Sequence, residues 1–208
     1  MSPRTPQQFE KIRETKSELI LNTALRLFAE RGFYVTTVSA IAKEAGVSKG
    51  LMYNYFESKD EILLVLFEQF ITLVSSLLDP DNNDEITNEE MEAFFMHLTR
   101  TMSKDRDYWK LYFQLSMQTE VLELLRAKIS SGKMLVRYVQ LIYKYFADRF
   151  PDPKQQMLLF SFILKGFSLQ YVLTPESVPD EEIEPFWERM KEMFIVEKKY
   201  NTSNLNPK

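Results

Sequence analysis

Residues 36–56 read TTVSAIAKEAGVSKGLMYNYF, and the four positions Ala45-Gly46-Val47-Ser48 within that stretch decide the fold. A tight bend between two crossing helices needs one residue that accepts positive φ, and Gly46 supplies it without a Cβ penalty. Thr37 stands where an N-cap belongs for a short helix carrying Val38, Ile41, Ala42 and Ala45. Ser48 is placed to cap the next helix, Lys49 to Phe56, while Val47 plugs the small core beneath the bend. Upstream, Ile20, Ala24, Leu27 and Phe28 recur at helical spacing between Ser17 and Arg31, and Gly32 closes that segment as a C-cap would. Three helices in this order make a helix-turn-helix.

Outward from the motif the chain stays helical. Ser58-Lys59-Asp60-Glu61 has the form of a capping box and opens a long apolar helix to about Leu78. Asp79-Pro80-Asp81-Asn82-Asn83 is a loop on turn chemistry. Further helices are predicted over 88–103, 106–117, 119–150 (with Ser130-Ser131-Gly132 as the place for a break), 153–174 and 181–198. Pro151, Pro153, Pro175 and Pro179 mark the joints, and Pro185 falls in the first turn of the last helix, where proline is tolerated. No Val/Ile/Thr run alternates with period two, and no repeat is visible. The fold class is therefore all-α: an arm over 1–16, a helix-turn-helix domain over 17–60, a larger helical domain over 61–200 and a disordered tail over 201–208.

Composition limits the chemistry. The 208 residues include no Cys and one His, which removes disulfides, Cys-based zinc sites and thiol nucleophiles. There is no Gly-rich phosphate loop and no His-and-carboxylate cluster at metal spacing, so neither an enzyme nor a metal or other cofactor is expected. His97 reads as a partly exposed surface residue, with a polar group in a pocket as the alternative. The polar start, Met1 to Lys16, is unlike a signal peptide. The densest apolar stretch, Met157 to Leu164, is shorter than the roughly 20 residues of a membrane span. A soluble cytoplasmic protein without a membrane partner is expected. The net charge is −4, but residues 1–60 carry nine Lys or Arg against seven Asp or Glu, leaving +2 there and −6 in the remainder. That sign suits a phosphate-facing N-terminus on an acidic body.

Phe33, the run from Thr36 to Phe56, and Ser58-Lys59-Asp60-Glu61 together resemble the DNA-binding domain of TetR-family transcriptional regulators, over roughly residues 17–66. The resemblance implies a dimer that binds a palindromic operator, its two recognition helices about 34 Å apart to enter successive major grooves. It implies a recognition helix over Lys49–Phe56, with Ala42, Val47, Met52 and Phe56 turned inward. Ser48, Lys49, Gly50, Leu51, Tyr53, Asn54 and Tyr55 are left to the groove and its walls. Lys49 would reach bases or phosphate, and Tyr53 and Tyr55 would donate hydroxyls to phosphates. Thr37 and Lys59 match positions that clamp the DNA backbone from helix N-termini. Leu51 departs from the small or hydroxylated residue common there; it can pack on thymine methyls, and Asn54 can pair with adenine. Arg4, Lys11, Arg13 and Lys16 are either a minor-groove arm or a frayed tail.

The C-terminal part is read for dimerisation and sensing. Ile183, Phe186, Trp187, Met190, Met193 and Phe194 form one helical stripe, whereas Leu158, Leu159, Phe162, Ile163, Phe167, Leu169, Val172 and Leu173 cover more than one face. A helix apolar on two faces packs once inside the subunit and once against a partner. A four-helix dimer interface follows, with Phe162, Gly166, Phe167, Leu169, Phe186, Met190 and Phe194; a monomer with a thick core is the alternative. Phe95, Met102, Trp109, Tyr112, Phe113, Met117 and Tyr138 suit the lining of a pocket for a small apolar or aromatic ligand, or are plain core. The expected function is a ligand-responsive repressor that releases DNA by population shift. An adaptor that uses DNA to bind another protein is the competing reading.

Overall fold

A computed structural model describes residues 6–128 and 133–199. Arg4, the proposed break at Ser130-Ser131-Gly132 and the tail over 201–208 lie outside the described residues. Among the described residues there are helices and no strands: α1 Pro6–Arg31, α2 Val38–Glu44, α3 Lys49–Tyr53, α4 Lys59–Leu78, α5 Asn88–Lys104, α6 Arg106–Ser116, α7 Thr119–Lys128, α8 Lys133–Ala147, α9 Pro153–Leu173 and α10 Asp180–Phe194, with a 3-10 turn at Pro175–Ser177.

The helix ends follow side-chain chemistry. At α5, Thr87 accepts a hydrogen bond from the Glu90 amide (3.1 Å) while the Glu90 carboxylate accepts from the Thr87 amide (2.8 Å). This is a complete capping box. The expected box at α4 is only half formed. Ser58 Oγ accepts from the Glu61 amide, but the Glu61 carboxylate turns to the Glu57 amide.

Three expectations need correction. The arm over 1–16 is neither extended nor frayed in its described part, because α1 starts at Pro6 and carries Lys11 and Arg13, both exposed, and Lys16, half-buried. A polar run of good helix formers propagates at little cost once the helix is nucleated downstream on a packed face. Pro185 lies in the second turn of α10, so the Glu181 carbonyl one turn earlier has no intrahelical donor. The last helix stops at Phe194 instead of continuing to 198, since the chain beyond it is clipped: Asn88 Nδ2 donates to the Val196 carbonyl (3.4 Å) and the Lys199 amide to the Asp148 carbonyl (2.9 Å).

The chain divides into two compact units, Met1–Gln69 with Leu111–Ser130, and Phe70–Lys110 with Ser131–Lys208. Packing thus groups the end of α6 and all of α7 with the N-terminal helices, where the sequence reading drew its line after residue 60. In the first unit Ile20, Ala24, Leu27 and Phe28 of α1 are buried with Ile41, Ala42, Met52, Phe56, Ile62, Leu66 and Leu115. The Tyr112 hydroxyl donates to the Leu66 carbonyl at 2.6 Å, which joins α6 to α4 inside this core.

The second unit is built on rings. Phe95 stacks on Trp187 (4.9 Å, 6°), and Phe160 packs edge-on against Phe194 (5.3 Å) and close to Phe146 (5.4 Å). Trp187 Nε1 donates to Thr99 Oγ1 at 2.9 Å, so the buried indole has its partner. The α4–α5 loop is tied down by Asp79, whose carboxylate accepts from the Asn83 and Asp84 amides and from Arg137 of α8 (2.8 Å).

The interface assignments are corrected by this packing. Phe167, Met190 and Phe194 belong to the second unit's own core; Phe194 is 0% exposed, and Phe167 stacks on Phe186 at 4.5 Å. Phe186 and Leu169 are half-buried, while Gly166 and Phe162 are exposed, Phe162 at 62%. Helical periodicity identifies an apolar stripe but not whether a segment of the same chain or of another covers it. The apolar stretch from Met157 to Leu164 is only part of the longer helix α9. By length and composition α4 and α9, of 20 and 21 residues, are both long and apolar enough to cross a membrane. Core helices pass the same test, and in α4 Ile62, Leu63, Leu66 and Phe67 are buried in the first unit.

Because Phe194 fills a closed aromatic cluster, we expect Phe194→Ala to lower the unfolding free energy by about 3–5 kcal/mol, as for other buried rings. Urea or guanidinium titration of the full chain measures this, and a loss below about 1 kcal/mol would contradict the core assignment.

Candidate nucleic-acid interface

The surface formed by α2, α3 and the turn between them is set by three local devices. Gly46 has φ +65°, and an added Cβ would meet no heavy atom within 4 Å. Its cost to another residue would therefore be backbone strain alone. The Val47 amide donates to the Ala42 carbonyl at 2.9 Å, which closes the bend. Thr37 (φ −103°, ψ 154°) accepts from the Ala40 amide at 3.1 Å, and Ser48 (φ −71°, ψ 152°) accepts from the Leu51 amide at 3.0 Å. Both caps stand as the sequence implied.

The orientation of α3 follows from what it buries. Met52 and Phe56 point inward with Ala42, and Val47 is half-buried. On the other side Ser48, Lys49, Gly50, Tyr53 and Asn54 are exposed, with Leu51 and Tyr55 half-buried. Thr37 is exposed at the N-terminus of α2, and its hydroxyl, used only as an acceptor, keeps its proton for an outside oxygen. The helix itself is shorter than the expected Lys49–Phe56. It ends at Tyr53, with Asn54 as C-cap donating to Leu51, and the Tyr55 and Phe56 amides both donating to the Met52 carbonyl.

Lys59 does not face outward as a phosphate clamp. Its ammonium donates to the carbonyls of Phe33 (2.9 Å), Tyr34 (2.8 Å) and Thr36 (3.3 Å), and lies 4.6 Å from the Phe33 ring centroid. An ammonium has three protons, and all three are used here. Lys59 is a strut for the α1–α2 turn. Lys43 and Lys49, by contrast, are exposed and make no ion pair among the described residues. Between α1 and α2, Arg26 bonds Glu44 at 2.7 Å. That guanidinium holds the Glu44 carboxyl below the usual range, so an acid near the surface stays ionised but paired.

Sequence reading missed Gln118, whose side chain bonds Phe28 and Phe33 from the joint between α6 and α7. Its partners lie 85 and 90 residues away, beyond the reach of any local pattern. It also passed over Tyr34, 78% exposed in the α1–α2 turn beside Thr37. An aromatic residue in a short turn between two helices was the available signal.

The residues proposed for a ligand pocket do not form one lining. Phe95 and Met102 are sealed in the core of the second unit, Trp109 packs on Phe70 (5.3 Å), and Tyr112 is bound into the first unit through Leu66. Met117 is 58% exposed, and Phe113 and Tyr138 are half-buried, burial raising the Tyr138 phenol to about 12. The second unit does have a groove of about 660 Å³ between α5 and α10, floored by Met96, Ile183 and Trp187, and a smaller one of about 440 Å³ beside Phe167 and Phe186. His97 is exposed, in line with the surface reading. Oxygens of Asp79, Asp81 and Glu90 lie within 4.8 Å of one another, but Arg137, Asn83 and Thr87 already engage these three carboxylates.

Residues 20–66 match the family described as "Bacterial regulatory proteins, tetR family". The HTH-type transcriptional regulator YerO of Bacillus subtilis is 31% identical over 152 residues, which covers 64% of this chain and 50% of YerO. The chain thus spans about half the length of that curated relative, and less of several others. Among solved structures, NalD, the secondary repressor of the MexAB-OprM multidrug efflux pump in Pseudomonas aeruginosa, superposes with a TM-score of 0.66 at 17% identity, over 89% of this chain and 98% of NalD. FadR of Bacillus subtilis, solved in complex with stearoyl-CoA, gives 0.65 at 17% identity, over 86% of this chain and 97% of FadR. At such identities the likeness is one of fold. The glycine bend and the two capped helices fall within the match over residues 20–66, and over that stretch the chain is similar to the tetR family of bacterial regulatory proteins.

Proposed function

We propose that the protein is a transcriptional regulator that binds operator DNA as a homodimer in the cytoplasm and is released by a ligand. The observation that carries the DNA reading is the division of α3. Met52 and Phe56 anchor it, and the Lys49 ammonium and the Tyr53 and Asn54 side chains are left on one open surface with the Thr37 hydroxyl. A cation and several hydroxyl or amide groups at this spacing match phosphate contacts flanking a base contact. Repression, and not activation, is favoured by the likeness in fold to NalD, a repressor.

Support for the dimer comes from α9. Its inner face is used within the subunit, while Leu158, Leu159 and Phe162 remain exposed on the other side with Gly166. A contiguous apolar face of this kind marks an interaction surface, and a second copy of this chain is the occupant we propose. For the ligand we propose an apolar acyl compound. The support is that FadR, on the same fold, holds stearoyl-CoA, and that the second unit's interior is rich in Phe and Met.

Three outcomes test this. Once bound sites have been mapped in the native host, Lys49→Ala should weaken operator binding and reduce the slope of log K against log salt by about 1 per subunit. Lys59→Ala should leave that slope unchanged and instead lower the melting temperature. An unaltered slope for Lys49→Ala would remove its phosphate contact. Light scattering should give a dimer mass for the wild type and a monomer mass for Phe162→Glu; a variant that stays fully dimeric refutes this interface. Long-chain acyl-CoA should raise the melting temperature and lower operator affinity, whereas no shift in either at saturating concentration excludes this ligand class.

A further inference from the structure

Two side chains from outside the helix-turn-helix grip the turn that leads into it. α1 closes at Gly32, with φ +97°, where the Gly32 amide donates to the Phe28 carbonyl at 3.1 Å. The Gln118 carboxamide, at the joint between α6 and α7, lies across this end. Its Nε2 donates to the same Phe28 carbonyl at 2.7 Å, and its Oε1 accepts from the Phe33 amide at 2.7 Å. The carbonyl of Phe33 is in turn held by Lys59 at 2.9 Å. Residue 33 therefore has its amide bound from the α6–α7 joint and its carbonyl bound from the start of α4. Thr36 Oγ1 fixes the next bend by donating to the Gly32 carbonyl at 2.8 Å, and Thr37 then caps α2.

We infer that Gln118 is a positioning residue for the DNA-binding surface, a latch by which the α6–α7 joint sets the direction in which α2 and α3 leave α1. The chemistry is selective. A carboxamide is the side-chain group that presents a donor and an acceptor side by side. Glutamate would offer only acceptors, repelling the Phe28 carbonyl, and lysine would offer only donors. At 2.7 Å both bonds are near their shortest useful length, so a shift of about 1 Å at the end of α6 breaks them. The Phe33 amide then loses its acceptor, and the turn is held from the Lys59 side alone. The latch thus turns a small displacement at this joint into a change in how Lys49, Tyr53 and Thr37 are presented. Gln118 is half-buried and on neither α2 nor α3, so its effect on DNA is exerted through the turn.

The affinity part of this inference rests on the DNA-binding reading, whereas amide exchange at Phe33 tests the latch without DNA. Gln118→Met keeps the length and removes both donor and acceptor. In the full chain, well below the melting temperature, we expect Phe33 to exchange about tenfold faster than in the wild type and operator affinity to fall about tenfold, the value of one or two net hydrogen bonds. The salt slope should not change, because no phosphate contact is lost. Unchanged exchange at Phe33 would overturn the latch, and faster exchange with affinity within about twofold of wild type would overturn its positioning role. Should Gln118→Met fail to fold, Gln118→Glu retains an acceptor for Phe33 but no donor for Phe28. It should keep Phe33 protected yet bind operator more weakly, and wild-type affinity in this variant counts against the inference. If the wild-type protein bound no DNA, the functional proposal would fall, and the exchange result would still decide whether Gln118 holds the turn.

Discussion

A helix of five residues has no stability of its own, because nucleating the first turn costs more than so few hydrogen bonds return. α3 persists because Met52 is buried beneath it, Phe56 anchors the turn after it, Ser48 Oγ satisfies the free Leu51 amide, and Gly46 admits the bend that brings it back across α2. The burial also fixes which side faces out. With Met52 inward, helical geometry leaves Lys49 and Tyr53, four residues apart, on the same outer side. The interface toward DNA is therefore the complement of a small hydrophobic core, and its chemistry depends on that core remaining packed.

The two lysines beside this core show how neighbours assign a role to a charge. Lys49 stands at the first position of α3 with no carboxylate or carbonyl among the described residues within bonding distance, and its side chain is exposed. Lys59 stands at the first position of α4, equally close to a helix N-terminus, yet three carbonyls of the α1–α2 turn converge on it. A turn that exposes several carbonyls to one side creates a site for an ammonium, and Lys59 occupies it at the expense of any ligand outside. The same turn has its amide side served by Gln118. An irregular segment with no secondary structure of its own is thus held by two side chains, one from the start of α4 and one from the joint between α6 and α7.

The second unit rests on a different principle. Its rings meet edge-on or offset at 4.4–6.2 Å, and several polar groups within it pair with one another: Trp187 with Thr99, Tyr145 with the Phe194 carbonyl, and Arg149 with Asn88 and the Tyr145 carbonyl. Such a core leaves the inner side chains of α9 and α10 unavailable to a partner. It also explains why aromatic residues that looked like pocket lining are fillers: a ring at helical spacing has the same signature whether it faces a cavity or another ring.

The order of amino acids by itself determined the all-helical character, the glycine bend, the caps at Thr37 and Ser48, and the inward set of α3. Each of these is a local matter, settled by backbone conformation or by hydrogen bonds spanning three or four residues. Tertiary structure alone decided that Lys59 points inward, that Gln118 grips the α1–α2 turn, that the end of α6 and all of α7 group with the N-terminal helices, and that Phe194 is core while Phe162 is exposed. These depend on contacts between residues 23 to 90 positions apart, and periodicity carries no information about which distant segment will cover a given face. The polar half of α1 belongs to the same class. Its sequence permits a helix or an extended arm with nearly equal ease, and what tips the balance is its continuity with the packed stretch from Ile20 to Phe28.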